Sequence, residues 1–272
     1  MISERFQKQI NAHLLGNMLD VENYPLILAI FGTPGMGKTW QLRKYLDNIG
    51  IEIFSISSAD LESENAGNPA KLLKSKYVNA SINIAKKNPS AIVIDDIDTT
   101  LGEWEQNTGT VNHQDILAFL MHIADNPYYI EDIGNVNRVP IFFTGNNFNL
   151  IYEPLRRPGR MLKFEWEPTD DEKIDIISSY LLHSTDAKKV ATDLVNMYPN
   201  QPISFFVNLF SVKRLDILSE IASKAMLNMI LIDSEYKSHL YQKYVKSNDS
   251  IDWSEELLKK EVNTNGENIN NY

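Results

Sequence analysis

The chain has 272 residues, enough for one large domain or two modest ones with a sizeable core. It contains no cysteine, which excludes disulfides, thiolate nucleophiles and Cys-based zinc sites, and its hydrophobic and charged fractions, 43% and 23%, are those of a soluble globular protein. A net charge of −10 argues against a general nucleic-acid coat, and no window is apolar enough for a membrane span.

The first residues, Met1-Ile2-Ser3-Glu4-Arg5-Phe6, lack the layout of a signal or transit peptide, so a cytoplasmic location is expected. Residues 2–20 read as an amphipathic helix with Phe6, Ile10, Leu14 and Met18 on one stripe, which should pack on the core or on an adjacent subunit. Pro25 to Phe31 is a buried strand. The next residues, Gly32-Thr33-Pro34-Gly35-Met36-Gly37-Lys38-Thr39, match the phosphate loop G-x-x-x-x-G-K-S/T, and a helix pattern runs on through Trp40 to Leu46. Further strands are expected at Ile51–Ile56, in the run Ala91–Asp98, at Val139–Thr144 and, shorter, at Leu162–Trp166. Helices are expected at Ala70–Lys86 and His113–Asp125, with loops over 57–69 and 99–112. Strands alternating with helices imply an α/β domain with a mostly parallel sheet covered on both faces.

The pattern changes at Glu167-Pro168. Thr169 and Glu172 form a capping box that opens a helix through Leu182, and only helical segments follow to about Val245, broken at Pro199 and Pro202. The expected organisation is an N-terminal helix and linker over 1–21, a nucleotide-binding domain over 22–167, an all-helical domain over 168–246 and a polar tail over 247–272. Within the tail, Asp252–Lys260 reads as a short helix and the Asn-rich end as disordered.

The phosphate loop needs glycines because backbone N–H groups must point inward around an anion at the positive end of a new helix. Residues 32–40, Gly32 to Trp40, are therefore the expected nucleotide-binding segment. Lys38 supplies a point charge for the β- and γ-phosphates of ATP, and the Thr39 hydroxyl can join the shell of a Mg²⁺ ion. Asp95, at the end of a hydrophobic strand, can hold a Mg²⁺-bound water, and Asp96 can orient or deprotonate an attacking water. Alternatively, Asp95, Asp96 and Asp98 merely solvate a strand end. An amide at the next strand end, Asn146, can reach the γ-phosphate or the water. Arginines on the Pro-Gly turn beyond it, Arg157 and Arg160, face outward and can offset charge on the phosphate of a neighbour. The histidines at 13, 113, 122, 183 and 239 show no metal-ligand spacing.

Together, phosphate loop, acid-ended strand, strand-end Asn and paired arginines resemble the signature of the AAA+ ATPases over residues 25–166, which implies a parallel five-stranded P-loop NTPase sheet followed by a helical lid. That resemblance assigns Asn146 as first sensor and Arg157 and Arg160 as arginine fingers acting in trans, which requires a homo-oligomeric ring or helix, with a hexamer expected. The loop wording carries a closer likeness. Residues 61–72 (LESENAGNPAKL), Thr110-Val111-Asn112, Ile123-Ala124-Asp125-Asn126-Pro127, Arg138-Val139-Pro140, and Pro154-Leu155 with Gly159-Arg160-Met161 are similar to Rubisco activases. Tyr198-Pro199, Gln201 and Phe205-Phe206 also fit, so the likeness covers roughly residues 22–210.

This resemblance implies an ATP-driven remodelling chaperone whose client is Rubisco and which releases inhibitory sugar phosphates. Loops 57–69 and 99–112 would line a central pore, with Trp104 as a candidate gripping residue. Four features depart from the family. The long N-terminal arm is missing, and no small-subunit-like extension follows. The second-sensor arginine falls on Phe210 or Val212, with Lys213 and Arg214 nearby, and the acidic pair is Asp95-Asp96 rather than Asn-Asp. Other readings therefore stay open: an AAA+ ATPase of a bacterium or phage with a non-Rubisco client, a weakly hydrolysing nucleotide-gated scaffold, or a nucleic-acid-associated AAA+ protein, which the charge disfavours.

Overall fold

Seven strands are present among the described residues: β1 (Ile27–Phe31), β2 (Glu52–Ile56), β3 (Ser90–Ile94), β4 (Tyr129–Ile130), β5 (Gly134–Asn135), β6 (Ile141–Gly145) and β7 (Met161–Glu165). Five of them form one sheet in the order β2-β3-β6-β1-β7, with every neighbouring pair parallel, while β4 and β5 make a separate antiparallel hairpin. The computed structural model describes residues 1–57, 60–61, 69–100, 111–181 and 186–249. The candidate gripping residue Trp104, residues 58–59, 62–68 and the rest of 101–110, and the expected tail helix and Asn-rich end lie outside these residues.

The sheet follows from its sequence. β1, β3 and β6 are buried at every position, as continuous Ile/Val/Phe runs must be when helices cover both faces. Parallel neighbours need crossovers, supplied by α2 (Lys38–Asn48), α3 (Pro69–Ala85), the short α4 (Ile97–Thr100) and α5 (Val111–Asp125). α1 (Glu4–Met18) begins at the N-cap Ser3 and buries Phe6, Ile10 and Leu14. Phe6 meets Phe164 and Trp166 edge-on at 5.6 and 5.0 Å, and His13 meets Phe142 at 5.0 Å. Three residues of the expected stripe thus pack against their own chain, whereas the fourth, Met18 at the last turn of α1, is 49% exposed.

Two local differences from expectation have physical causes. β3 stops at Ile94, before the aspartates: Asp95 N still donates to Ile56 O at 3.2 Å, but Asp96 then turns left-handed with φ 49°. Aspartate tolerates that conformation better than a branched residue, so the chain can leave the sheet there. The β4–β5 hairpin has strands of only two residues, too short for an alternating pattern; its turn contains Asp132 with φ 59°, and β5 opens at Gly134 with φ 93°.

The chain divides into two compact units, Ile2–Glu167 and, together with Met1, the part from Pro168 onward. The second unit, among its described residues, is helical throughout: α6 (Asp170–Ser178), α7 (Ala187–Met197), α8 (Ile203–Ala222) and α9 (Ser234–Asp249), with single 3₁₀ turns at 179–181 and 227–231. The Thr169–Glu172 capping box is formed in both directions, at 2.9 and 3.3 Å. Tyr198 ends α7 and Pro202 precedes α8, where proline has no N–H to leave unpaired. Ile177, Leu181, Leu194, Phe206 and Phe210 make this unit's core. Among the described residues no helix is long and apolar enough to cross a membrane.

Candidate nucleotide-binding site

In a parallel sheet the C-terminal strand ends share one edge, and three of them build the site. Phe31 leads into the phosphate loop, Ile94 into Asp95, and Gly145 into Asn146. Register sets their heights: Phe31 pairs with Gly145, and Ile94 with Phe143. The loop's bend comes from Gly35 and Gly37, both left-handed at φ 76° and 77°, and Gly37 caps the first turn of α2.

Lys38 is 7% exposed, and its Nζ donates to Gly32 O at 2.7 Å, Thr33 O at 2.9 Å and Asn146 Oδ1 at 3.0 Å. The candidate phosphate ligand and the candidate sensor, 108 residues apart in sequence, are thus directly bonded. Burial lowers the Lys38 pKa, and the carboxylates of Glu167, Asp96 and Asp98 act against that shift.

Thr39 Oγ1 donates to Thr144 Oγ1 at 3.1 Å, and Thr144 Oγ1 donates to Asp95 Oδ1 at 3.0 Å. The two candidate Mg²⁺ residues therefore converge on one hydroxyl. Their donor atoms are all oxygen, the chemistry that Mg²⁺ takes. No cluster of three or more His, Cys, Asp or Glu suited to a metal exists among the described residues. A cation there would draw its other ligands from phosphate and water, which is how Mg²⁺ is usually held at nucleotides. Asp96 is exposed and left-handed; desolvation and then the neighbouring Asp95 and Asp98 carboxylates raise its pKa, with Lys38 opposing.

Thr33, Pro34 and Gly35 are exposed, Met36 is buried, and Trp40 on α2 is 43% exposed. Three side chains that sequence reasoning did not assign complete the site. Arg43 lies one helical turn after Thr39, a spacing that carries the signal. It pairs with Asp95 Oδ2 and donates to Ser55 Oγ at 2.7 Å. Glu167 Oε1 accepts from the Thr33 amide at 2.5 Å, and Trp166 Nε1 donates to Met36 O at 2.8 Å. Only the β1–β7 pairing brings these two to the loop, and the linear pattern holds no sign of it.

Arg157 and Arg160 stand elsewhere. Arg160 O accepts from Ile27 N at 3.2 Å, at the start of β1, so the turn lies on the opposite edge of the sheet from the phosphate loop. Five residues of strand separate the edges by about 16 Å. Arg160 is held by Asp125 through two bonds of 2.6 Å and donates to Pro154 O at 2.8 Å. Arg157 is exposed and has no partner among the described residues; it lines a cleft of about 550 Å³ with Asn126, Tyr128 and Arg138.

In the second unit, Phe210 is fully buried in the core, so it sits where no phosphate could be met. Arg214 Nη2 donates to Tyr180 O at 2.6 Å within the same unit.

A sequence model of the "ATPase family associated with various cellular activities (AAA)" matches residues 28–168, just over half of the chain. Among curated proteins, the ribulose bisphosphate carboxylase/oxygenase activase of Nostoc sp. is 37% identical over 219 residues, covering 77% of this chain and 53% of its own. The chloroplastic activase of Chlamydomonas reinhardtii is 38% identical over 213 residues, covering 75% of this chain and 52% of its own. That of Spinacia oleracea is also 38% identical, over 75% of this chain and 45% of its own. The chain thus spans about half the length of these relatives.

Proposed function

The chain belongs to the AAA family of ATPases, and from that premise we propose that it binds and hydrolyses ATP within a homo-oligomer and uses the cycle to remodel a protein client. The observation that carries this reading is the 3.0 Å bond between Lys38 Nζ and Asn146 Oδ1 at the mouth of a phosphate loop. It brings the cation that meets the β- and γ-phosphates together with an amide able to distinguish the γ-phosphate.

In this reading the backbone amides from Thr33 to Thr39 receive the phosphates at the N-terminus of α2. Lys38 exchanges its carbonyl partners, Gly32 O and Thr33 O, for phosphate oxygens, and Asn146 turns to the γ-phosphate or the attacking water. Thr39 and Asp95 would hold Mg²⁺. When bound, that ion neutralises charge on the phosphate oxygens. Asp96 takes the proton of the attacking water, and its raised pKa suits a general base. Arg157 of an adjacent protomer supplies the guanidinium that offsets charge on the transferring phosphate, with Arg160 beside it on the same turn. Their position, about 16 Å across the sheet from the crevice of their own chain, supports action in trans. A ring, with a hexamer as the expected size, brings each turn to its neighbour.

The names of the relatives point to Rubisco as the client, with release of inhibitory sugar phosphates as the work done; a cytoplasmic place of action belongs to the same proposal. ATP turnover by the wild type and by Lys38→Ala tests the engine: equal rates would end the ATPase reading. Reactivation of sugar-phosphate-inhibited Rubisco by the protein plus ATP tests the client. Failure with turnover intact would remove Rubisco and leave the motor.

A further inference from the structure

Asp98 stands two residues beyond the proposed base, in the short helix α4, and is 6% exposed. Its Oδ2 accepts two backbone N–H groups, those of Asn146 and Asn147, both at 2.9 Å. Its Oδ1 is buried without a partner. Gly145 packs so closely that a Cβ there would lie 2.6 Å from that oxygen and 2.3 Å from the Phe31 ring.

Burying a carboxylate is costly, and leaving one of its oxygens unpaired adds to the cost. Such a group needs an explanation beyond stability. The two amides it accepts belong to the residue whose side chain bonds Lys38 and to the residue after it. Without that acceptor, the backbone at 146 would leave β6 with two unpaired donors and no fixed direction. The carboxylate also spans from the turn carrying Asp96 to the end of β6, so it sets the separation between the proposed base and the proposed sensor.

We propose that Asp98 is a positioning residue: by holding the amides of Asn146 and Asn147 it aims the Asn146 side chain at the phosphate-binding position beside Lys38. This rests on the reading of Asn146 as a contact of the γ-phosphate or attacking water. Asp98 itself touches neither.

The test is ATP turnover, with equilibrium binding of fluorescent ATP and ADP analogues, for Asp98→Ala, Asp98→Asn, Asn146→Ala and the double variant Asp98→Ala/Asn146→Ala. Misaiming a catalytic side chain by about 1 Å lowers turnover roughly ten- to a hundredfold. Asp98→Ala should fall in that range with ADP affinity unchanged and the preference for ATP over ADP reduced. Asp98→Asn keeps a carbonyl acceptor for both amides and should restore turnover to within about threefold of the wild type. In the double variant the loss should equal that of Asn146→Ala alone, because residues acting through one another are not additive. Where Asp98→Ala fails to fold, Asp98→Ser replaces it, since its hydroxyl is too short to bridge both amides.

Wild-type turnover in the truncated variant would overturn the proposal. So would equal loss of ATP and ADP binding, no rescue by Asp98→Asn, or a further tenfold loss in the double variant. An Asn146→Ala protein with unchanged turnover would remove the premise itself, a result distinct from all of these.

Discussion

Replacing Gly32 by alanine probes how tightly the phosphate loop is fitted to the sheet. A Cβ at Gly32 would lie 2.1 Å from Trp166 O and 2.9 Å from Trp166 C, and Gly32 has φ 152°. Ordinary carbon–oxygen contacts begin near about 3.3 Å, so the end of β1 must move more than 1 Å from the strap that follows β7. The neighbouring atoms are backbone and cannot swing aside. The bond from Trp166 N to Phe31 O, 2.6 Å long, is the one that would open. Two buried backbone groups left unpaired cost about 1–3 kcal/mol each, and the strained φ adds about 1–3 kcal/mol. Partial relaxation brings the expected loss to about 3–5 kcal/mol, a large share of the 5–15 kcal/mol of a typical domain. Urea unfolding followed by tryptophan fluorescence measures it, because Trp166 is fully buried. The midpoint should fall strongly, and ATP affinity should fall with it, since Glu167 and Trp166 hold the loop at Thr33 and Met36. A loss below about 1 kcal/mol with an unchanged m-value would refute the close fit of β1 to the strap.

Two further outcomes are expected. His13 is 1% exposed, and burial pushes its pKa down to about 3, so between pH 3 and its unfolded value of 6.5 only the unfolded chain binds the proton. Stability should therefore fall as pH drops below 6.5, and His13→Gln should flatten the slope between pH 4 and 6 by up to about 1.4 kcal/mol per pH unit; identical slopes in the two proteins would contradict a buried neutral ring. Trans action predicts complementation: an equal mixture of Arg157→Ala and Lys38→Ala protomers should recover up to about a quarter of wild-type turnover, since half the crevices are intact and half of those have an intact neighbour. A mixture no more active than the mean of the two variants would place Arg157 outside the neighbour's site.

The local geometry around the candidate site is legible in the sequence, because it is written in short-range spacing. Glycines at 32, 35 and 37 with Lys38 and Thr39 mark a turn and a helix start, and Asp95 follows an unbroken apolar strand. Thr169 and Glu172 announce a cap within four residues. Asp98 shows the limit of such reading. In sequence it is the third acid of a cluster, indistinguishable from a solvated strand end, yet it is buried against two amides 48 and 49 residues away. Arg43 was within reach of a helical-turn argument from Thr39, but its ion pair with Asp95 depends on β3 lying where it does. Nor does the spacing of Arg157 and Arg160 show that their surroundings differ: Asp125, 35 residues before Arg160, binds Arg160, while Arg157 is exposed.

Sequence by itself determined the alternation of apolar strands and helices, the phosphate loop and the change to an all-helical region after Glu167, because periodicity and turn chemistry act over a few residues. Only the tertiary structure decided that β1 lies between β6 and β7, which puts Asn146 on Lys38, Glu167 on Thr33 and the arginine turn on the far edge of the sheet. Strand order is chosen by how whole apolar faces pack together, and no local spacing encodes that choice.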